Sequence, residues 1–164
     1  MLEEFNIIAV RIAELLRARG EKIAVADGAT GGLIAASLLT VPGALSFYVG
    51  GGVVYSTKAR DVLFGLGADA FKGMQSATTD YAAIQAEAIR DNFGAQWGIA
   101  ESGAAGSSKH PMGVASGRSC VAIAGPGGIA VTQVTETDSD DRIGNMQVFT
   151  RRALEFLEAT LTAA

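Results

Sequence analysis

Over residues 2–19 apolar positions recur every three or four residues. Leu2, Phe5, Ile8, Ile12 and Leu15 share one face, Glu4, Arg11 and Arg17 fall elsewhere, and Gly20 supplies a stop, so the spacing predicts an amphipathic helix. Residues 23–26 are a short apolar run that suits a central strand. After the turn Asp27-Gly28-Ala29-Thr30-Gly31-Gly32 a helix is expected over 30–39, with Thr30 as its N-cap. A second strand region, 45–55, is interrupted by Gly50-Gly51-Gly52, which marks a bulge or a close approach. A short helix over 58–63 and an irregular stretch over 65–73 follow. A helix over 79–92 carries Tyr81, Ile84, Ala88 and Ile89 on one face. Residues 96–101 read as a third strand ending in a second small-residue turn, Ser102-Gly103-Ala104-Ala105-Gly106. Strands over 119–124 and 129–135 pair through Gly125-Pro126-Gly127-Gly128, and residues 138–141 cap a final helix bearing Met146, Phe149, Leu154, Phe156, Leu157 and Leu161. Helices alternate with strands early and a hairpin comes late. That order predicts one α/β domain over residues 1–164, a three-layer α/β/α sandwich with a mixed, mostly parallel sheet.

Composition narrows the function classes. The 164 residues are 49% hydrophobic and 18% charged, which fits a globular chain able to bury a core. A net charge of −4 offers no basic footprint for nucleic acid or an anionic membrane surface. No apolar run reaches the ~18 residues that span a bilayer, and acidic Glu3 and Glu4 stand where a signal peptide would be basic. One cysteine, Cys120, excludes an internal disulfide and a cysteine-cluster metal site, and one histidine excludes a multi-histidine zinc site. The expectation is a cytoplasmic protein without metal or cofactor. His110 lies in Ser-Ser-Lys-His-Pro, a loop composition, and reads as a solvated loop residue.

The two small-residue turns are the candidate site, because ligands of open α/β sheets bind outside the carboxyl ends of the strands. Neither turn is Gly-x-Gly-x-x-Gly or a Walker loop. By themselves they support a small anion held by the backbone amides of Gly28, Ala29, Thr30, Gly31 and Gly32, joined by Tyr55, Ser56 and Arg142. A tight packing turn is the competing reading.

Several ordered blocks add a resemblance that covers nearly the whole chain. Ala26-Asp27-Gly28-Ala29-Thr30-Gly31-Gly32 stands where the CinA C-terminal domain family, which includes the PncC-type nicotinamide mononucleotide deamidases, has Ala-Glu-Ser-Cys-Thr-Gly-Gly. Pro42-Gly43, the glycine-rich strand and Tyr55-Ser56-Thr57-Lys58-Ala59-Arg60 match its Pro-Gly and Tyr-Ser-Asn-x-x-Lys block. Gly73-Met74-Gln75-Ser76 replaces Gly-Ala-Val-Ser, Ser102-Gly103-Ala104-Ala105-Gly106 keeps Ser-Gly-x-Ala-Gly, and Asp140-Asp141-Arg142 replaces Gly-Asp-Arg. The resemblance implies hydrolysis of the nucleotide's carboxamide to the acid with release of ammonia. It also implies a serine nucleophile, a lysine base and a homo-oligomer.

This chain departs from that pattern where the chemistry lies. The nucleophile position is Gly28 and the base position is Arg60, whose guanidinium stays protonated. The family's Pro-Asp-Gly-Gly after the second turn is replaced by Ser107-Ser108-Lys109-His110. The expectation is therefore a catalytically impaired relative that keeps a pocket for a small phosphorylated, pyridine-mononucleotide-like ligand. Its expected lining is residues 28–32, Tyr55, Ser56, Arg60, Ser102, Gly103, Ala105, Gly106 and Arg142. Two alternatives stand beside it: an active deamidase using Thr30 and Lys58, and a structural or partner-binding protein. Returning serine to position 28 and lysine to position 60 is expected to restore some turnover.

Overall fold

The computed structural model describes residues 1–164, apart from the side chain of Ala68. Five strands form one sheet: β1 (Ile23–Asp27), β2 (Tyr48–Val53), β3 (Trp97–Ala104), β4 (Arg118–Ala124) and β5 (Ala130–Glu136), in the order β2-β1-β3-β4-β5. β1 runs parallel to β2 and β3, whereas β3–β4 and β4–β5 are antiparallel. The sheet is mixed as expected, with the parallel ladders half of the total, because the late hairpin and the β3–β4 connection both reverse the chain.

Helices cover both faces. α1 (Leu2–Arg19), α2 (Leu33–Leu39) and α5 (Arg142–Ala163) pack on one side, and α4 (Thr79–Asn92) on the other, with the short α3 (Thr57–Phe64) beside it. Strand alternation separates the layers. Ile23, Val25, Trp97, Ile99, Val121 and Ile123 meet the three-helix side, while Ala24, Ala26, Ala100, Cys120, Ala122 and Ala124 meet α4. The second face is built almost wholly from small side chains, so α4 lies close against the sheet. A Cβ at Gly98 would fall 2.2 Å from the Ala86 carbonyl oxygen.

The structure shifts several boundaries. β2 begins only at Tyr48, since Ala44–Ser46 form a 3-10 turn. Its glycines do mark a bulge, with Ile23 opposite Tyr48 but Ala24 opposite Gly50, and a Cβ at Gly51 would collide with the Val25 carbonyl at 1.9 Å. α2 starts at Leu33, after Gly31 and Gly32 take φ values of 65° and 98° that only glycine adopts freely. Ser102, Gly103 and Ala104 belong to β3 rather than to a turn, because all three pair with β4. The irregular 65–73 stretch contains a 3-10 turn, Ala68–Phe71, that buries Phe71 against Tyr81. Among the described residues no helix is long and apolar enough to cross a membrane.

The close seat of α4 is testable. Gly98→Ala puts a methyl group into the Ala86 backbone and is expected to lower stability by about 3 kcal/mol, read from the urea midpoint. A loss below about 0.5 kcal/mol would show that α4 has room to spare.

Candidate functional site

β1 ends in Asp27, and this residue rather than Thr30 caps α2. Its carboxylate accepts from Ile34 N–H (3.0 Å) and Ala35 N–H (3.1 Å). Thr30 is fully buried, and its hydroxyl donates to Asp27 Oδ1 at 2.6 Å. The expected N-cap is therefore displaced: a longer acidic side chain at the strand end reaches the free helix N–H groups first.

The amides expected to cradle a ligand anion already hold an anion-forming group. Glu101, in β3 and without solvent exposure, accepts through Oε2 from Gly28 N–H (3.2 Å) and Thr30 N–H (2.9 Å). The Thr30 hydroxyl is 3.1 Å from the same oxygen, and Ser119 Oγ is 2.7 Å from Oε1. Burial raises the pKa of Glu101, and burial likewise raises that of Asp27, with each carboxyl's hydrogen bonds opposing the shift. The geometry divides the roles. Asp27 is an acceptor in all three of its contacts, which suits the ionised form. Glu101 is satisfied as an acid, with one oxygen accepting two N–H groups and the other bonded to a hydroxyl that can accept its proton.

Glu101 also fixes the identity of residue 28. A Cβ there would lie 2.2 Å from the Glu101 carbonyl oxygen and 3.2 Å from its Oε2. The expectation that serine could be restored at 28 fails on this contact, since the obstruction is strand backbone and not a flexible side chain.

Above this network opens a cavity of about 450 Å³. Of the expected residues, Gly28, Ala29, Tyr55, Ser56, Ser102, Gly103, Gly106 and Arg142 line it. Others point elsewhere. Cβ atoms at Gly31 and Gly32 would face Met146 and Val53, and the Ala105 carbonyl accepts from Asn145 Nδ2 at 2.7 Å. Arg60 does not line the cavity: its guanidinium pairs with Asp61 at 2.9 Å, reaches the Tyr81 hydroxyl at 3.5 Å and lies 4.4 Å over the Phe71 ring. Thr30 and Lys58 also lie outside the lining, Thr30 beneath it and Lys58 exposed to solvent.

Several lining residues were missed, among them His110, Glu101, Gln85 and Lys109. His110 is half-buried rather than solvated, with Nδ1 accepting from Met112 N–H (3.1 Å) and Nε2 3.4 Å from Ser76 Oγ; burial lowers its pKa. Glu101 had a sequence signal, a carboxylate inside an apolar strand, and so had Gln85, a polar residue one turn after Tyr81 on the buried face of α4. Gln85 is 1% exposed, lines the cavity and makes no side-chain hydrogen bond among the described residues.

Comparison with known proteins identifies the scaffold. The model of the CinA C-terminal domain matches residues 6–161. The chain belongs to the CinA C-terminal domain family. A CinA-like protein of Prochlorococcus marinus (strain MIT 9313) is 31% identical over 154 residues, covering 94% of this chain and 36% of the relative. One from Myxococcus xanthus is 38% identical over 98 residues, covering 60% of this chain and 23% of the relative. The chain thus spans about a third or less of these CinA-like proteins. A competence-damaged protein (CinA) superfamily structure from Klebsiella pneumoniae superposes with a TM-score of 0.88 at 25% identity, covering 98% of this chain and 99% of that one. One from Escherichia coli shares the fold with a TM-score of 0.82 at 22% identity, covering 94% and 91%.

The raised pKa of Glu101 predicts a pH signature. A carboxyl whose pKa is raised on folding stabilises the native state below the ordinary carboxylate range, and that contribution is lost as pH rises through the elevated native pKa. Glu101→Gln keeps the acceptor for Gly28 and Thr30 and donates to Ser119. Its melting temperature relative to the parent is expected to climb between pH 4 and pH 8, while Glu101→Ala, which strands buried N–H groups, costs about 3 kcal/mol at pH 4. A Glu101→Gln curve parallel to the parent's would show that Glu101 is already ionised at the acid end.

Proposed function

We propose that this protein binds a small phosphorylated, nucleotide-like ligand in the cavity and does not hydrolyse a carboxamide through a serine–lysine pair. The observation that carries this reading is Glu101 seated on the Gly28 and Thr30 amides. A hydrolase of the family type needs a hydroxyl nucleophile with backbone donors free for the developing oxyanion. Here position 28 has no side chain, and two of the turn's amides are bonded to an internal carboxyl. Arg60 neither loses its proton at neutral pH nor lines the cavity.

The substitute pair has no support. The Thr30 hydroxyl donates to Asp27 beneath the floor, and Lys58 projects to solvent outside the lining. What favours binding is the layout of the cavity itself. Its size suits a mononucleotide, and Lys109 and Arg142 bring positive charge to the open end, with Arg142 Nη2 3.3 Å from Ser108 Oγ. A phosphate fits that mouth by charge and by donor geometry.

Calorimetry with nicotinamide mononucleotide, run beside an ammonia-release assay, tests this reading. Saturable binding with no ammonia above background is expected. Turnover at a rate typical of enzymes, above about 1 per second, would contradict it. The double variant Gly28→Ser, Arg60→Lys is expected to remain inactive and to melt below the parent, because the new Cβ meets the β3 backbone.

A further inference from the structure

We propose that residues 107–113 form a strap across the cavity mouth, latched to Ser76 only while His110 is uncharged, so that mild acid opens the cavity and releases its ligand. The latch stands on the geometry of the strap; the ligand it retains is the phosphorylated one of the reading above.

The strap is built as a movable part. It contains neither helix nor strand, and all of its residues except His110 are exposed. It leaves buried Gly106 through Ser107, whose φ of 59° is in the left-handed region. The chain returns at buried Gly117, whose N–H donates to the Ala104 carbonyl at 2.8 Å. Between these ends, hydrogen bonds tie it to the rest of the chain at two places among the described residues. Towards α5, the Arg142 guanidinium donates to Ser108 Oγ at 3.3 Å. Towards α4, Met112 Sδ accepts from Ser76 N–H (3.3 Å) and from Ser76 Oγ (3.5 Å), and His110 Nε2 lies 3.4 Å from the same hydroxyl. The strap thus crosses the mouth from the start of one helix to the start of the other, and residues 108–112 all line the cavity. A thioether is a weak acceptor and these ties are exposed, so the strap opens at little cost.

The receiving side is rigid by contrast. Ser76 precedes Ala77, which is 1% exposed and holds a φ of 56° that alanine rarely adopts. Three bonds impose that conformation: Ala77 N–H donates to Ser102 Oγ at 2.9 Å, and its carbonyl accepts from Arg118 Nε at 2.9 Å and Cys120 Sγ at 3.2 Å.

The charge on His110 decides whether the latch can close. Nδ1 accepts from Met112 N–H at 3.1 Å, which leaves the ring proton on Nε2, towards Ser76 Oγ. The Ser76 hydroxyl passes its own proton on to Met112 Sδ. An imidazolium carries a second proton on Nδ1, sets N–H against N–H, and displaces the residue whose sulfur holds Ser76. The other titratable groups of the lining are Lys109 on the strap, Arg142 on α5, Glu101 on β3, Tyr55 before α3 and Tyr81 on α4. The two cations oppose a further positive charge, and the Glu101 carboxyl is engaged with Gly28, Thr30 and Ser119. Burial lowers the His110 pKa, so the latch holds at neutral pH and lets go as pH falls through that lowered value.

Amide hydrogen exchange on the ligand-free full chain tests the latch, read as protection factors at about pH 7.5 and about pH 5. Met112 N–H is expected to lose roughly tenfold in protection at the lower pH, the worth of one hydrogen bond. His110→Asn should abolish that loss, because an asparagine oxygen accepts from the N–H two residues on and does not titrate. Met112→Leu, which keeps the volume but removes the sulfur, should be poorly protected at both pH values. Stopped-flow displacement of nicotinamide mononucleotide adds a second reading. Release should quicken at the lower pH in the parent and not in His110→Asn; the nucleotide's own phosphate titrates alike against both proteins. Equal protection of the parent at the two pH values overturns the latch, whether or not the variants fold. An equal loss in His110→Asn, or release from the parent that ignores pH, overturns it too. A parent that binds no nucleotide at millimolar concentration defeats the phosphorylated-ligand reading, and the exchange data then decide the latch by themselves.

Discussion

A buried carboxyl without a basic neighbour must draw its hydrogen bonds from whatever donors surround it, and Glu101 draws them from the β1–α2 turn and from β4. Much of the site's architecture follows from this demand. The turn is pulled down onto β3, so residue 28 has no space for a Cβ. Thr30 is drawn inward as a bridge between Glu101 and Asp27, and Asp27 is left to cap α2. Two acidic groups, two hydroxyls and four backbone N–H groups make a closed network beneath the cavity. A conventional hydrolase would keep such amides open for its substrate; here they are internal structure.

The second constraint is the small-residue face of the sheet. Alanines and Gly98 let α4 settle against the strands, and this brings the Tyr81–Gln85 turn of α4 to the closed end of the cavity. The same settling explains Arg60. With Phe71 tucked against Tyr81, an aromatic ledge lies beneath the guanidinium, and stacking on it is favoured over reaching across open solvent. Position 60 thus contributes packing to the wall behind the cavity.

Sequence periodicity revealed the architecture because both periods were clean: β1 is a run of buried residues, and α1 and α5 bury Phe5, Ile8, Ile12, Phe149, Leu154 and Leu157 at helical spacing. It misjudged places where a tertiary partner outweighs local preference. Thr30 is a good cap residue by type, yet Asp27 lies closer to the helix amides. Ser102-Gly103-Ala104 has turn composition, yet β4 pairs with it along its length. The glycine at 28 was visible as a departure from the family pattern, but the contact that requires it, the backbone carbonyl of a residue 73 positions away in sequence, could not be read from local pattern. Gln85 was legible in hindsight as a polar residue on an apolar stripe, and what hid it was that such a residue usually finds a partner inside the protein.

The account stands on the bond between the Glu101 carboxyl and the Gly28 and Thr30 amides. Proton–nitrogen NMR across a pH titration reads that bond directly. Both amide resonances should move together with a midpoint above the ordinary carboxylate range, and the movement should vanish in Glu101→Gln. Amides that stay fixed with pH in the parent, or that titrate unchanged in the variant, would show that Glu101 does not hold the turn.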